Sequence, residues 1–226
     1  MVKKVYGVGV GVGDENLITL KALEVLKKVD KIFIPISKKG KRSIAYEIIK
    51  NHIDGKDVEE LLFPMIKDKE KLKNYWETAV NKVINEKGEV AVITIGDPTL
   101  YSTFSYLWKI LKEKNIDVEI VNGISSIFAS ASALGIPLVE GDEKLCILPQ
   151  GKDIEKYINE FDTIIIMKTK NLKEKLEKIK DKDNYIIGLV KRATFKDEKT
   201  AFGRFDEINF DEFSDYLSLA IIKRIK

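Results

Sequence analysis

The chain reads as an α/β protein of two domains, the first built on a mainly parallel sheet and the second on a mixed sheet. Three observations predict this. Strand and helix signals alternate through the first half, which implies βαβ units. The strands of that half are nearly continuous apolar runs, as a sheet covered on both faces requires. In the second half the last strand signals follow one another with no helix between them, so that sheet is expected to be mixed.

In the first half, Val5–Val10, Lys31–Pro35, Val58–Leu62, Val90–Ile95 and Val118–Val121 read as strands. Leu17–Val29, Ser43–His52, Lys69–Asn85 and Tyr101–Lys114 carry apolar residues at three- and four-residue spacing and read as helices. The second half opens with a helix of small residues, Ile124–Leu134. Leu145–Leu148, Thr163–Met167, Tyr185–Val190, Thr200–Phe205 and Leu217–Ile222 follow as strands, with helices at Ile154–Phe161 and Leu172–Ile179. A boundary near Asn115–Gly123 gives domains of residues 1–116 and 117–226.

Composition excludes several classes of function. A formal charge of +3 over 226 residues is close to balance, which argues against a nucleic-acid partner. One cysteine, Cys146, rules out an internal disulfide and a cysteine cluster for metal. The single histidine, His52, lies on an amphipathic stretch and reads as structural, so no metal held by side chains is expected. The apolar run after Lys3-Lys4 is broken by glycines and meets Asp14, unlike a secretory leader. No apolar stretch approaches the ~18–20 residues of a membrane span, so no membrane partner and a cytoplasmic, soluble chain are expected.

Five segments could carry chemistry. Gly7, Gly9, Gly11 and Gly13 alternate at the end of the first strand, where glycines let a ligand approach the backbone. The dinucleotide fingerprint fails here, because its third glycine falls on Val12 or Asp14. The acidic residue that would hold a ribose at the end of the second strand is also missing. Asp30 precedes that strand and Pro35 closes it. The second segment is Ile95-Gly-Asp-Pro-Thr-Leu-Tyr-Ser-Thr103, in which Asp97 is placed to cap backbone N–H groups or to accept from a ligand. In the third, Val121-Asn-Gly-Ile-Ser-Ser126, a serine could cap the next helix, whose free N–H groups suit an anionic group. The fourth ends a strand in Met167-Lys168, and the fifth is Val190-Lys-Arg-Ala-Thr194 with Glu198. All lie at strand ends, the preferred ligand location in open α/β sheets.

Taken in order, these segments resemble the tetrapyrrole methylase family, S-adenosylmethionine-dependent enzymes of corrin and sirohaem synthesis. The likeness rests on the glycine segment ending in Asp14 with Leu17–Ala22, on Gly96-Asp-Pro98, on Gly123-Ile-Ser-Ser126, on the Met167 strand end, and on Arg192-Ala-Thr194 with Glu198. Pro35–Ala45 and Tyr101–Leu107 look like the branch that methylates C-20 of precorrin-2. Val12 and Asn122 depart from prolines that the family often carries there.

The resemblance implies two α/β domains with the cofactor in the cleft between them, usually as a homodimer. S-adenosyl-L-methionine would be the cofactor and S-adenosyl-L-homocysteine its product. Gly96, Asp97 and Leu100 would line the methionine and ribose end. Ser125, Ser126, Met167 and Ala193 would line the remainder, and Val12 would make the first-loop contact. The tetrapyrrole substrate carries carboxylates around its rim, and Lys38, Lys39, Lys41 and Arg42 would receive them, with Lys168 and Arg192 as further candidates. No catalytic base is singled out. Methylation at another ring carbon, diphthine synthesis, and a non-enzymatic ligand-binding relative are the competing readings.

Overall fold

A computed structural model describes residues 2–225 and divides the chain into two compact units, Met1–Ser125 and Ser126–Lys226. In the first unit, β1 (Val2–Gly9), β2 (Lys31–Ile36), β3 (Asp57–Leu62), β4 (Gly88–Thr94) and β5 (Val118–Val121) form one sheet in the order β3-β2-β4-β1-β5. Every pairing in it is parallel. The connections carry α1 (Leu20–Lys28), α2 (Ile44–Ile49), α3 (Lys69–Asn85) and α4 (Phe104–Glu113). Alternate strand residues feed two separate cores. Val8, Ile32 and Ile93 pack with Leu26 and Ile49 on one face, while Val5, Phe33 and Val92 pack with Val83 and Leu107 on the other. Both faces being dry explains the unbroken apolar runs.

Two helices start later than their periodicity suggests, each for a local reason. Thr19 has extended backbone, and its Oγ1 accepts from Ala22 N at 3.2 Å, so α1 begins at Leu20 rather than Leu17. At the other, Tyr101 sits at φ 48, outside helical space, so α4 begins at Phe104. The buried Ser102 hydroxyl pins that entry, lying 3.0 Å from Thr94 Oγ1 and accepting from Phe104 N at 3.1 Å.

β5 pairs with β1, so residues 117–125 lie in the first unit, and the expected division at 116/117 moves to 125/126. That pairing joins strands more than 100 residues apart, and no signal within Val118–Val121 discloses it.

The second unit holds α5 (Ser126–Leu134), β6 (Leu145–Leu148), α6 (Ile154–Tyr157), β7 (Thr163–Met167), α7 (Leu172–Leu176), β8 (Tyr185–Lys191), β9 (Lys199–Gly203) and β10 (Ser218–Arg224). Its sheet runs β6-β7-β10-β8-β9, with β6 and β7 parallel and the other pairs antiparallel, a mixed sheet as expected. The small residues of α5 serve its packing on β8, β9 and β10. α6 and α7 are single turns, shorter than their apolar spacing suggested, and each is entered through a left-handed residue, Asp153 or Asn171. Among the described residues no helix is long and apolar enough to cross a membrane.

The glycine alternation has an explanation internal to the protein. A Cβ on Gly9 would stand 2.5 Å from Gly96 O and 2.6 Å from Gly123 N, and one on Gly123 would stand 2.3 Å from Gly96 O. Three backbones therefore meet where β1, β4 and β5 end. Gly96 N donates to Gly11 O at 2.8 Å and closes the junction. At Gly9 the close neighbour is the protein's own chain, not a ligand. Replacing Gly9 or Gly123 by Ala is expected to cost about 1–3 kcal/mol, because the atoms in the way are backbone and cannot rotate aside. Urea midpoints would check this, and an unchanged midpoint would show that the junction yields.

Candidate functional site

Because the first sheet is all parallel, the loops after its five strands leave from one edge, the place where such sheets bind ligands. Val12, Lys38, Lys39, Lys41, Arg42, Gly96, Asp97, Leu100 and Ser125 all lie on these loops. Gly96 is buried and left-handed, φ +72, yet no protein atom lies within 4 Å of the position its Cβ would take. The backbone there faces open space. Val12 is buried between Gly11 and Gly13, both at positive φ, and Leu100 is half-buried.

Asp97 is the clasp of this edge. Its Oδ1 accepts from Thr99 N at 2.8 Å and Thr99 Oγ1 at 2.5 Å. Its Oδ2 accepts from Asn122 Nδ2 at 3.0 Å and Gly123 N at 3.1 Å. Four donors meet the roughly four lone-pair directions of a carboxylate. Asp97 thus ties the loop after β4 to the loop after β5, and it does not cap α4. Partial burial opposes its ionisation, but the bonds from Thr99, Asn122 and Gly123 outweigh this and hold the carboxyl below the usual aspartate range. Asn122 and Thr99, which complete the clasp, escaped the sequence reading. The only signal for Asn122 was its place where the family often has proline.

The two edges of the sheet differ in charge. At the edge where the strands begin, Lys4 meets Glu119 at 2.7 Å and Lys28 meets Glu89 at 2.7 Å. Lys31 there touches Glu86 at 2.7 Å and both Asp57 and Glu59 at 3.3 Å. Glu86 above all, with burial opposing, raises the Lys31 ammonium above the ordinary lysine range. At the opposite edge Lys38, Lys39, Lys41 and Arg42 are exposed, and among the described residues none of them forms an ion pair. Glu47 is bridged to Lys50 at 2.8 Å, which above all favours its ionisation, with Arg42 adding to the effect. Four cations without an ion pair on one short loop make the local potential positive.

In the second unit, Ser126 opens α5, Met167 ends β7 with Lys168 next, and Arg192 and Ala193 follow β8. The start of β10 holds the two strand ends together. Lys168 N donates to Ser218 O at 3.0 Å and Arg192 N to Leu217 O at 2.8 Å. Lys168 and Arg192 both adopt left-handed φ, 65 and 54. Their charges are engaged locally: Arg192 Nε lies 2.7 Å from Asp197, and Lys168 Nζ lies 5.1 Å over the Tyr216 ring. Glu198 accepts from Thr194 N at 2.6 Å, which makes it a turn-holding residue.

The parallel sheet with its glycine junction, followed by a mixed sheet, defines a class. The chain belongs to the tetrapyrrole (corrin/porphyrin) methylases, whose family pattern it matches over residues 4–209. It is 80% identical, over all of its length and 98% of the relative's, to a protein of Methanocaldococcus jannaschii named probable cobalt-precorrin-2 C(20)-methyltransferase. It is 26% identical to the cobalt-precorrin-2 C(20)-methyltransferase of Salmonella typhimurium, covering 98% of this chain and 96% of that one. Its fold matches, with a TM-score of 0.70 and 19% identity over 97% of each chain, a uroporphyrin-III C-methyl transferase from Thermus thermophilus solved with S-adenyl homocysteine.

A carboxyl depressed in the folded state adds stability above the unfolded aspartate value, near ~4, and loses it as pH falls through the folded value. Asp97→Asn is therefore expected to cost about 1 kcal/mol at pH 7, the low end for bonds to a charged group because the carboxylate is partly solvated. The gap should close as wild type is acidified below about pH 4. Urea midpoints at pH 7 and pH 3 would check this. A gap independent of pH would show that shape, not charge, makes the clasp.

Proposed function

We propose that the chain is an S-adenosylmethionine-dependent methyltransferase that methylates C-20 of precorrin-2 or its cobalt form in corrin biosynthesis. The observation that carries this reading is the 80% identity to a C(20)-methyltransferase relative over the whole chain. That relative's name favours the cobalt-loaded ring. The edge of the first sheet fits the reaction. The open face at Gly96, between apolar Val12 and Leu100, suits a nucleoside carrying a short chain, and the cation loop suits a polycarboxylate. Ser125, Ser126, Met167 and Ala193 are proposed as further cofactor contacts, and Lys168 and Arg192 as further substrate contacts.

When bound, the cofactor supplies a methyl group already activated on a sulfonium. The residues of the chain then have chiefly to align the electron-rich ring carbon with that methyl, and alignment alone can account for roughly 7–11 kcal/mol of the barrier. Asp97 contributes by fixing the two loops that form the floor. Lys38, Lys39, Lys41 and Arg42 set the ring's orientation through its rim carboxylates. The methyl–sulfur bond would break as the methyl–carbon bond forms, S-adenosylhomocysteine would leave, and the ring carbon would then release its proton; attack at carbon itself needs no strong base. We further propose that the chain is cytoplasmic and that it forms a homodimer, the latter as the family resemblance implies.

Incubation with labelled S-adenosylmethionine and precorrin-2 or cobalt-factor II, followed by mass spectrometry, tests the reading. One labelled methyl on C-20 is expected, and label at another carbon or none would overturn it. Lys41→Ala with Arg42→Ala should weaken tetrapyrrole binding about tenfold or more, roughly 1.4 kcal/mol, and S-adenosylhomocysteine binding much less. Titration calorimetry with each ligand would measure both, and equal effects would contradict the assignment of the loop.

A further inference from the structure

The same sheet edge exposes large apolar side chains. Met65 is 68% exposed, Tyr101 50% and Ile66 38%. Scattered exposed apolar residues are ordinary, but several gathered beside uncompensated cations are not. The topology gathers these. Ile36 pairs with Leu62, and Phe63 N donates to Ile36 O at 2.8 Å, so the loops bearing Lys38–Arg42 and Met65-Ile66 leave the sheet side by side. β4 is the other neighbour of β2, and its loop carries Tyr101. Tyr101 is also held in left-handed backbone, φ 48, an unusual state for an aromatic residue. The buried Thr94–Ser102 contact, with the Ser102 bond from Phe104 N, fixes the chain on either side of the helix entry. Strain kept by such over-determined surroundings collects at ligand sites.

Resting on the methyltransferase reading, we infer that Tyr101, Met65 and Ile66 form the apolar seat for the face of the tetrapyrrole, with the cation loop taking its rim. The substrate has two chemistries, a flat conjugated body and a ring of carboxylates. The cation loop answers only the second. Exposed Tyr and Met side chains answer the first, through ring stacking and thioether contact with a π face. Arrangement and charge complementarity select this occupant over a protein partner, which would not need four bare cations on one loop.

The test uses uroporphyrin I, a stable octacarboxylic tetrapyrrole, as a fluorescent probe, and S-adenosylhomocysteine as the control ligand. Tyr101→Gly removes the ring and suits the left-handed backbone, so its melting temperature should be unchanged or raised. Its affinity for the porphyrin should fall about tenfold or more, as loss of a buried ring predicts. The Met65→Ser/Ile66→Ser double variant should fall similarly. Both should keep S-adenosylhomocysteine affinity within about twofold. Unchanged porphyrin affinity in both variants would overturn the inference, and so would a parallel loss of both ligands, which would make these residues props of the cofactor floor. A wild type that binds S-adenosylhomocysteine but no porphyrin would also overturn it. A wild type that binds neither would instead strike the methyltransferase reading itself.

Discussion

The meeting of three glycine backbones at the ends of β1, β4 and β5 is the constraint on which the rest of the first unit depends. A Cβ on Gly9 or on Gly123 would collide with the neighbouring glycine backbones, while the Cβ position of Gly96 faces open space. The contact draws two loops onto the end of the first strand. Asp97 then locks those loops by accepting from Thr99 on one and from Asn122 and Gly123 on the other. The product of this packing is a braced floor, and the open face of Gly96 is the surface proposed to receive the cofactor. The order of causes runs from missing side chains, to backbone approach, to a carboxylate clasp, to a place where a ligand can lie.

Electrostatics divides the sheet along its strands. At the edge where the strands begin, Lys4, Lys28 and Lys31 are each answered by carboxylates. Such exposed pairs add little stability, about 0–1 kcal/mol each. At the other edge Lys38, Lys39, Lys41 and Arg42 are exposed and, among the described residues, form no ion pair. Under the proposed function, these cations direct a polycarboxylate to the edge that holds the glycine floor, with no need for a large net charge on the protein.

Much of this was legible in the sequence, and the failures have physical causes. The strands of the first sheet announced themselves because both faces are buried, so Val, Ile and Phe run without interruption. Helix starts were misplaced at Leu17 and Tyr101, because apolar spacing continues through Thr19 and through a strained tyrosine whose backbones are not helical. The division of the chain slipped because β5 is claimed by β1, a pairing distant in sequence. The glycine alternation was rightly seen as exceptional, but a sequence cannot tell whether the close neighbour is a ligand or the chain itself. Asp97 was singled out for its chemistry. That its oxygens are taken up by Asn122 and Gly123 required the fold. Met65 and Ile66 pass in sequence for core residues, and only their exposure on a loop sets them apart.

The glycine floor as the cofactor's resting place is the central claim, and hydrogen–deuterium exchange with and without S-adenosylhomocysteine tests it most directly. The account predicts slowed exchange in peptides covering residues 10–16, 95–103 and 122–126, with little change along the ion-paired edge at Lys31, Asp57 and Glu89. Protection absent from those loops, or centred on the ion-paired edge or on the β9 strand, would contradict it.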